Sequence, residues 1–122
     1  MVRLDDPLVS PSLTDELRTF VKERDWQTFH DPKNLAMLLA SEVGELVALF
    51  RWVDNREADA FAGKEPNREK ISAEIADVAI SLLLLVDRMG VDLPAVIREK
   101  IEVNRRNYPV DVARGASARP PR

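Results

Sequence analysis

Apolar positions recur at helical spacing along most of this chain. Leu13, Leu17, Phe20 and Val21 fall at steps of three and four, and Ser12 with Asp15 three residues on resembles a capping box. This predicts a first helix running to about Trp26. Asp31-Pro32 offers an N-cap followed by proline at the first helical position. From there Leu35, Leu38, Leu39, Val43, Leu46, Leu49 and Phe50 keep the period to roughly Val53. Residues 54–66 are polar and hold Gly63 and Pro66, which predicts a loop with one short helix. A third helix is expected from about Arg68 to Met89, stopping at Gly90 as its C′ residue. Asp92 can cap a fourth, with Val96, Ile97, Ile101 and Val103 along it, ending before Tyr108-Pro109. The fold class read from the pattern is therefore all-α, a four-helix domain over residues 12–109. Residues 1–11 read as an N-terminal extension, and residues 110–122 lack any period and are expected to be a disordered tail.

Helices two and three are apolar nearly all round, each broken by an acidic pair. A small chain with such faces is expected to bury them against another subunit. The longest apolar stretch, Val78 to Val86, is interrupted by Ser81 and is about half what a bilayer requires. No membrane association is expected, and the N-terminus carries no apolar signal-peptide core. The expected address is the cytoplasm.

Composition narrows the chemistry. Eighteen Lys+Arg against 21 Asp+Glu gives a net charge of −3, so no nucleic-acid polymer is expected as a partner. There is no cysteine and one histidine, His30, which excludes thiolate metal sites and cysteine nucleophiles. A di-iron bundle site is excluded as well, because it needs Glu-x-x-His twice.

Four pairs of acids stand three residues apart, a spacing that puts both side chains on one helix face. Asp54/Glu57 and Glu99/Glu102 are flanked by arginines and lysines and read as solvated surface. Glu42/Glu45 and Glu74/Asp77 lie inside apolar helices, where a carboxylate is costly unless paired or bound to metal. Four such acids would make an all-oxygen site suited to Mg²⁺, with Mn²⁺ as the alternative. The competing reading is that each pair marks the polar edge of its helix. Gly44, between the first two acids, costs about 1 kcal/mol relative to alanine in a helix; close approach of a helix or ligand would account for it.

Glu42-x-x-Glu45, 28 residues, then Glu74-x-x-Asp77 resembles the metal-binding motif of the MazG-like all-α nucleotide pyrophosphohydrolases. The segments Glu23-Arg24-Asp25-Trp26, Phe29-His30, Pro32-Lys33-Asn34-Leu35, Phe50-Arg51-Trp52, Val91-Asp92-Leu93-Pro94 and Asn104-Arg105-Arg106-Asn107-Tyr108-Pro109 are similar to the dCTP pyrophosphatase branch of that family. The likeness covers roughly residues 13–109. It implies a MazG-like bundle completed by oligomerisation, as a homotetramer or homodimer. It also implies Mg-dependent hydrolysis of a dNTP, dCTP or a modified dCTP, to dNMP and pyrophosphate. Carried across, Glu42, Glu45, Glu74 and Asp77 would hold magnesium, and Glu45 or Glu74 would activate the water. Trp26 and Trp52 would contribute to the nucleobase pocket, although tryptophan is also a common core residue. Lys100 and Asn104 would reach the triphosphate and Tyr108 would close the site. Two positions depart from the branch, Leu17 where a histidine is expected and Ser81 where a tyrosine is expected. Both bear on base choice. A sister enzyme acting on dUTP or another nucleotide, and a non-catalytic helical oligomerisation module, are the alternatives.

Overall fold

The computed structural model describes residues 11–116; residues 1–10 of the N-terminal extension and 117–122 of the tail lie outside the described residues, and Pro11 opens the first helix. The described residues form six α-helices: α1 (Pro11–Glu23), α2 (Pro32–Ala48), α3 (Ala58–Gly63), α4 (Asn67–Met89), α5 (Leu93–Asn107) and α6 (Val110–Ala113). Among the described residues there is no strand, in keeping with the all-α reading. The chain divides into two compact units, residues 1–90 and 91–122.

In the first unit α2 and α4 form the central pair. They run antiparallel, because Glu42 and Glu45 of α2 meet Glu74 near the start of α4, while His30, just before α2, borders one cavity with Leu84 and Arg88 near the end of α4. The start of α2 forms as its sequence requires. The Asp31 carboxylate accepts from the Asn34 amide at 2.9 Å, satisfying one of the donors a helix start leaves free, and Pro32 gives up no hydrogen bond there. Leu35, on the first turn of α2, is the most enclosed side chain at 1% exposure, and Val21, Ile71 and Ser81 are also buried.

α1 stops at Glu23, three residues short of the expected Trp26. The Asp25 amide donates to the Lys22 carbonyl at 3.0 Å and the Trp26 amide to the Val21 carbonyl at 3.1 Å. With Asp25 in the left-handed region (φ 52°), this is a Schellman ending. Aspartate tolerates that conformation better than most side chains but is a weaker sequence marker than glycine. α2 likewise ends at Ala48 rather than Val53. Beyond it the Leu49, Phe50 and Val53 amides donate three residues back, to Leu46, Val47 and Phe50, tightening the chain. The apolar period continues through this turn, so periodicity alone cannot detect it.

Asp54 then caps a short 3₁₀ turn by accepting from the Arg56 amide at 2.9 Å. The Phe50 ring meets Phe61 of α3 edge-on, centroids 5.9 Å apart. α4 begins and ends close to expectation, with Gly90 in the left-handed region at φ 64°. α1 is tied to α4 by Arg18, whose Nε donates to both Asp87 carboxylate oxygens at 3.0 and 3.2 Å.

In the second unit the Asp92 side chain caps α5 through the Ala95 amide at 3.1 Å. The helical turn Val110–Ala113 falls in the stretch read from sequence as without a period; Pro109 stands at its N-cap and the Ala113 amide returns to the Pro109 carbonyl at 2.8 Å. Residues 117–122 of the expected tail lie outside the described residues. No helix among the described residues is long and apolar enough to cross a membrane.

Candidate active site

The acidic pairs sit where α2 and α4 face each other. Glu42 and Glu45 are one turn apart on α2, and Glu74 projects from the second turn of α4, so the antiparallel pairing brings three carboxylates to one point. One oxygen from each of Glu42, Glu45 and Glu74 can be chosen so that all lie within 4.8 Å of one another. Asp77, one turn along α4, is exposed and outside that triad, yet its charge still acts on Glu42 and Glu74.

Burial distinguishes this group from a solvated acidic edge. Glu42 and Glu74 each bury an Oε2 atom that has no hydrogen-bond partner. Enclosure by the helix pair pushes the Glu42 carboxyl above its ordinary range, with Glu45 and then Asp77 and Glu74 adding to the rise. Glu74 is raised in the same way, first by enclosure and then by the charges of Glu45 and Asp77. No lysine or arginine forms a salt bridge with these acids among the described residues. Lys70, one turn before Glu74 on α4, is exposed. Mutually repelling carboxylates, with Glu42 and Glu74 half-buried and Glu45 exposed, are the donor set a hard divalent ion satisfies. These residues suit such an ion: three oxygens are near enough to share it, and two of the side chains carry an orphaned buried oxygen.

Trp26 is placed by the end of α1. In a Schellman ending the residue after the left-handed position packs back on the last turn, and here the Trp26 ring meets Phe20 edge-on, centroids 5.8 Å apart. The Arg24 guanidinium lies over the Phe20 ring, 3.7 Å from its centroid, and 6.0 Å from that of Trp26. Trp26 is 44% exposed and is not a core residue. Between α1 and α4 an apolar cavity of about 420 Å³ is lined by Leu13, Leu17, Phe20, Ala76, Ile80 and Leu83 among others. Ala76 precedes Asp77, so this cavity borders the acid-bearing stretch of α4, and Leu17 forms part of it.

Trp52 is 90% exposed, with the Arg51 guanidinium 5.9 Å from its ring. It belongs to no core within a single chain. Ser81, expected near the pocket, is instead 2% exposed, its hydroxyl donating to the Asp77 carbonyl at 2.9 Å. The hydrogen bond explains how a polar side chain is tolerated there. Among the described residues nothing lies within 4 Å of where a Gly44 Cβ would stand, so none of them makes the close approach expected there. Lys100 and Asn104 are exposed on α5 of the second unit. Tyr108 is half-buried at the end of that helix, its amide donating to the Asn104 carbonyl at 2.8 Å.

Residues 38–119 match the MazG-like family. Over 112 residues the chain is 40% identical to dCTP pyrophosphatase 1 of Rattus norvegicus, covering 89% of this chain and 66% of the relative. Against dCTP pyrophosphatase 1 of Homo sapiens it is 41% identical over 110 residues, 88% of this chain and 65% of the relative. The chain thus spans about two thirds of the length of these relatives. Among solved structures, a pyrophosphatase from Archaeoglobus fulgidus superposes with a TM-score of 0.78 at 33% identity, covering 89% of this chain and 99% of that one.

Proposed function

Because the chain belongs to the MazG-like family, we propose that it is a divalent-metal-dependent nucleoside triphosphate pyrophosphohydrolase. Its reaction is dNTP plus water to dNMP plus pyrophosphate, with dCTP or a modified dCTP as the first substrate class. The observation that carries this reading is the convergence of Glu42, Glu45 and Glu74 within 4.8 Å with two buried oxygens unpartnered. The name dCTP pyrophosphatase 1 on relatives about 40% identical supports the substrate class, and the archaeal pyrophosphatase supports the reaction class.

Glu42, Glu45 and Glu74, with Asp77 beside them, would hold Mg²⁺ or Mn²⁺. Bound there, the ion supplies charge neutralisation for the phosphates and a lowered pKa for a water. The remaining work falls to the chain's own residues. Hydrolysis forms a bond between a water oxygen and the α-phosphorus, breaks the α–β bridge and leaves one proton to be taken up. Glu45 or Glu74 takes it. Trp26 offers a face to the nucleobase beside the apolar cavity. On the family resemblance Lys100 and Asn104 are assigned to the triphosphate and Tyr108 to closing the site.

Pyrophosphate release from a panel of dCTP, 5-substituted dCTP, dUTP and the other dNTPs tests the reading. The largest kcat/KM is expected for a cytosine nucleotide. A dUTP preference would move the chain to a sister activity, and no release from any substrate with Mg²⁺ present would favour the non-catalytic module. In the same assay Trp52→Ala is expected to raise KM roughly tenfold with kcat within a fewfold, as loss of one base contact should. An unchanged KM removes Trp52 from the pocket.

The assembly is a homodimer or homotetramer. Ile75, Leu82 and Met89 recur every seven residues along α4 and are all exposed, a stripe with the repeat of a helix-to-helix seam. Sedimentation equilibrium of the full chain should show an oligomer that Leu82→Glu dissociates. A monomeric wild-type chain at micromolar concentration would overturn this.

A further inference from the structure

The far end of the α2–α4 pair holds a second cavity, of about 240 Å³, bordered by Arg18, Lys22, Gln27, His30, Leu84 and Arg88. Its charge is opposite to that of the carboxylate end. Arg18, Lys22 and Arg88 line it with one acid, Asp87, and Arg18 also pairs with Asp15 at 3.1 Å, which leaves an excess of one positive charge in a chain whose net charge is −3. Asp87 is already engaged by the Arg18 guanidinium, Nε to both oxygens at 3.0 and 3.2 Å. Lys22 and Arg88 have no ion pair among the described residues. The wall behind them is aliphatic, from Val21 and Leu84, with Val21 buried. Low-dielectric walls strengthen a charge's pull on a ligand.

The two ends are separate places. Arg88 lies eleven residues beyond Asp77, about 16 Å along the helix axis. Leu35 on α2 and Ser81 on α4 stand between the ends in sequence, and at 1% and 2% exposure they are the most enclosed of the buried residues. The interior is closed there.

We propose that this cavity binds a small phosphate-bearing anion, independently of the carboxylate cluster and without a metal ion. The Arg88 guanidinium can pair two phosphate oxygens, and Lys22 adds a point charge. The Gln27 amide and the His30 imidazole supply further donors, and the cavity has room for inorganic pyrophosphate or for the phosphate end of a nucleoside monophosphate. The acidic cluster would repel both anions when no cation is present, so the metal-free state isolates this site.

Calorimetric titrations of the full chain in EDTA, with pyrophosphate in one arm and dCMP in the other, test this. At least one anion is expected to bind, with saturation, in wild type and equally in Glu74→Gln. Lys22→Ala/Arg88→Ala is expected to weaken it at least tenfold, while the charge-matched control Lys64→Ala/Arg68→Ala keeps wild-type affinity. All four substituted side chains are exposed, and circular dichroism checks that the fold is retained. Stronger binding of pyrophosphate would identify an inorganic ligand, and stronger binding of dCMP a nucleotide. No binding in EDTA, equal loss in the control, or loss in Glu74→Gln would overturn the site. Because no turnover is involved, these outcomes are distinct from failure of the hydrolase reading.

Discussion

Glu74→Gln is expected to lower kcat/KM for pyrophosphate release by roughly 10³-fold, about 4 kcal/mol of transition-state stabilisation, while making the metal-free protein more stable. Both effects follow from one geometry. The Glu74 carboxylate buries an oxygen with no hydrogen-bond partner and faces Glu42 and Glu45 within 4.8 Å. A neutral amide removes one of three crowded negative charges, so folding no longer has to bring them together. It also removes a metal ligand and a candidate base, which the reaction cannot spare. A residue serving structure alone would lose stability on substitution and leave the chemistry nearly intact. Glu42→Gln, Glu45→Gln and Asp77→Asn should also remove most activity with the fold preserved. Near-native pyrophosphate release in any two of the four variants would end the hydrolase reading.

Chelation is expected to abolish turnover, with added Mg²⁺ restoring it, and to uncover a pH-dependent stability. Glu42 and Glu74 are raised in the folded chain above the ordinary value of 4.5. Between 4.5 and those raised values the folded chain holds protons that the unfolded chain has released, so stability falls as pH rises. The favourable contribution is complete below 4.5 and is lost as pH climbs through the folded-state values. Metal-free protein should therefore melt at a higher temperature at pH 5 than at pH 7.5. Other carboxylates, such as Asp54, which its hydrogen bonds with Arg56 hold below its usual value, act in the opposite direction. The difference between wild type and Glu74→Gln cancels their share. Mg²⁺ competes with protons for the same oxygens, so its stabilising effect should grow with pH across this window. A wild-type minus variant difference that does not change with pH would contradict the electrostatic account of the cluster.

The positions that bear on base choice are set by local backbone more than by the acids. Trp26 reaches its place because Asp25 turns the chain left-handed and the following residue folds back on Phe20. Leu17 lines an apolar cavity beside the acid-bearing stretch of α4, and an aliphatic side chain there offers shape without hydrogen bonds. Ser81 is a different case. Its hydroxyl is satisfied by the Asp77 carbonyl inside the core, so in this chain it supports the turn that carries the last acid and presents no surface to a base.

The class of fold and the two acidic helices were legible in the residues themselves, because a repeat of three and four apolar positions has one compact solution and because caps such as Asp31, Gly90 and Asp92 act on their own neighbours. Those causes are local, and a chain read in order carries them. Which acids meet was decided by tertiary structure. Glu42, Glu45 and Glu74 gather only because α2 and α4 pack antiparallel, and the same pairing leaves Asp77 outside the triad. The early ends of α1 and α2, the burial of Ser81 and the basic cavity around Lys22 and Arg88 likewise depend on residues far apart in sequence or on a turn the apolar period passes straight through. Spacing along one helix fixes direction but carries no distance to another helix.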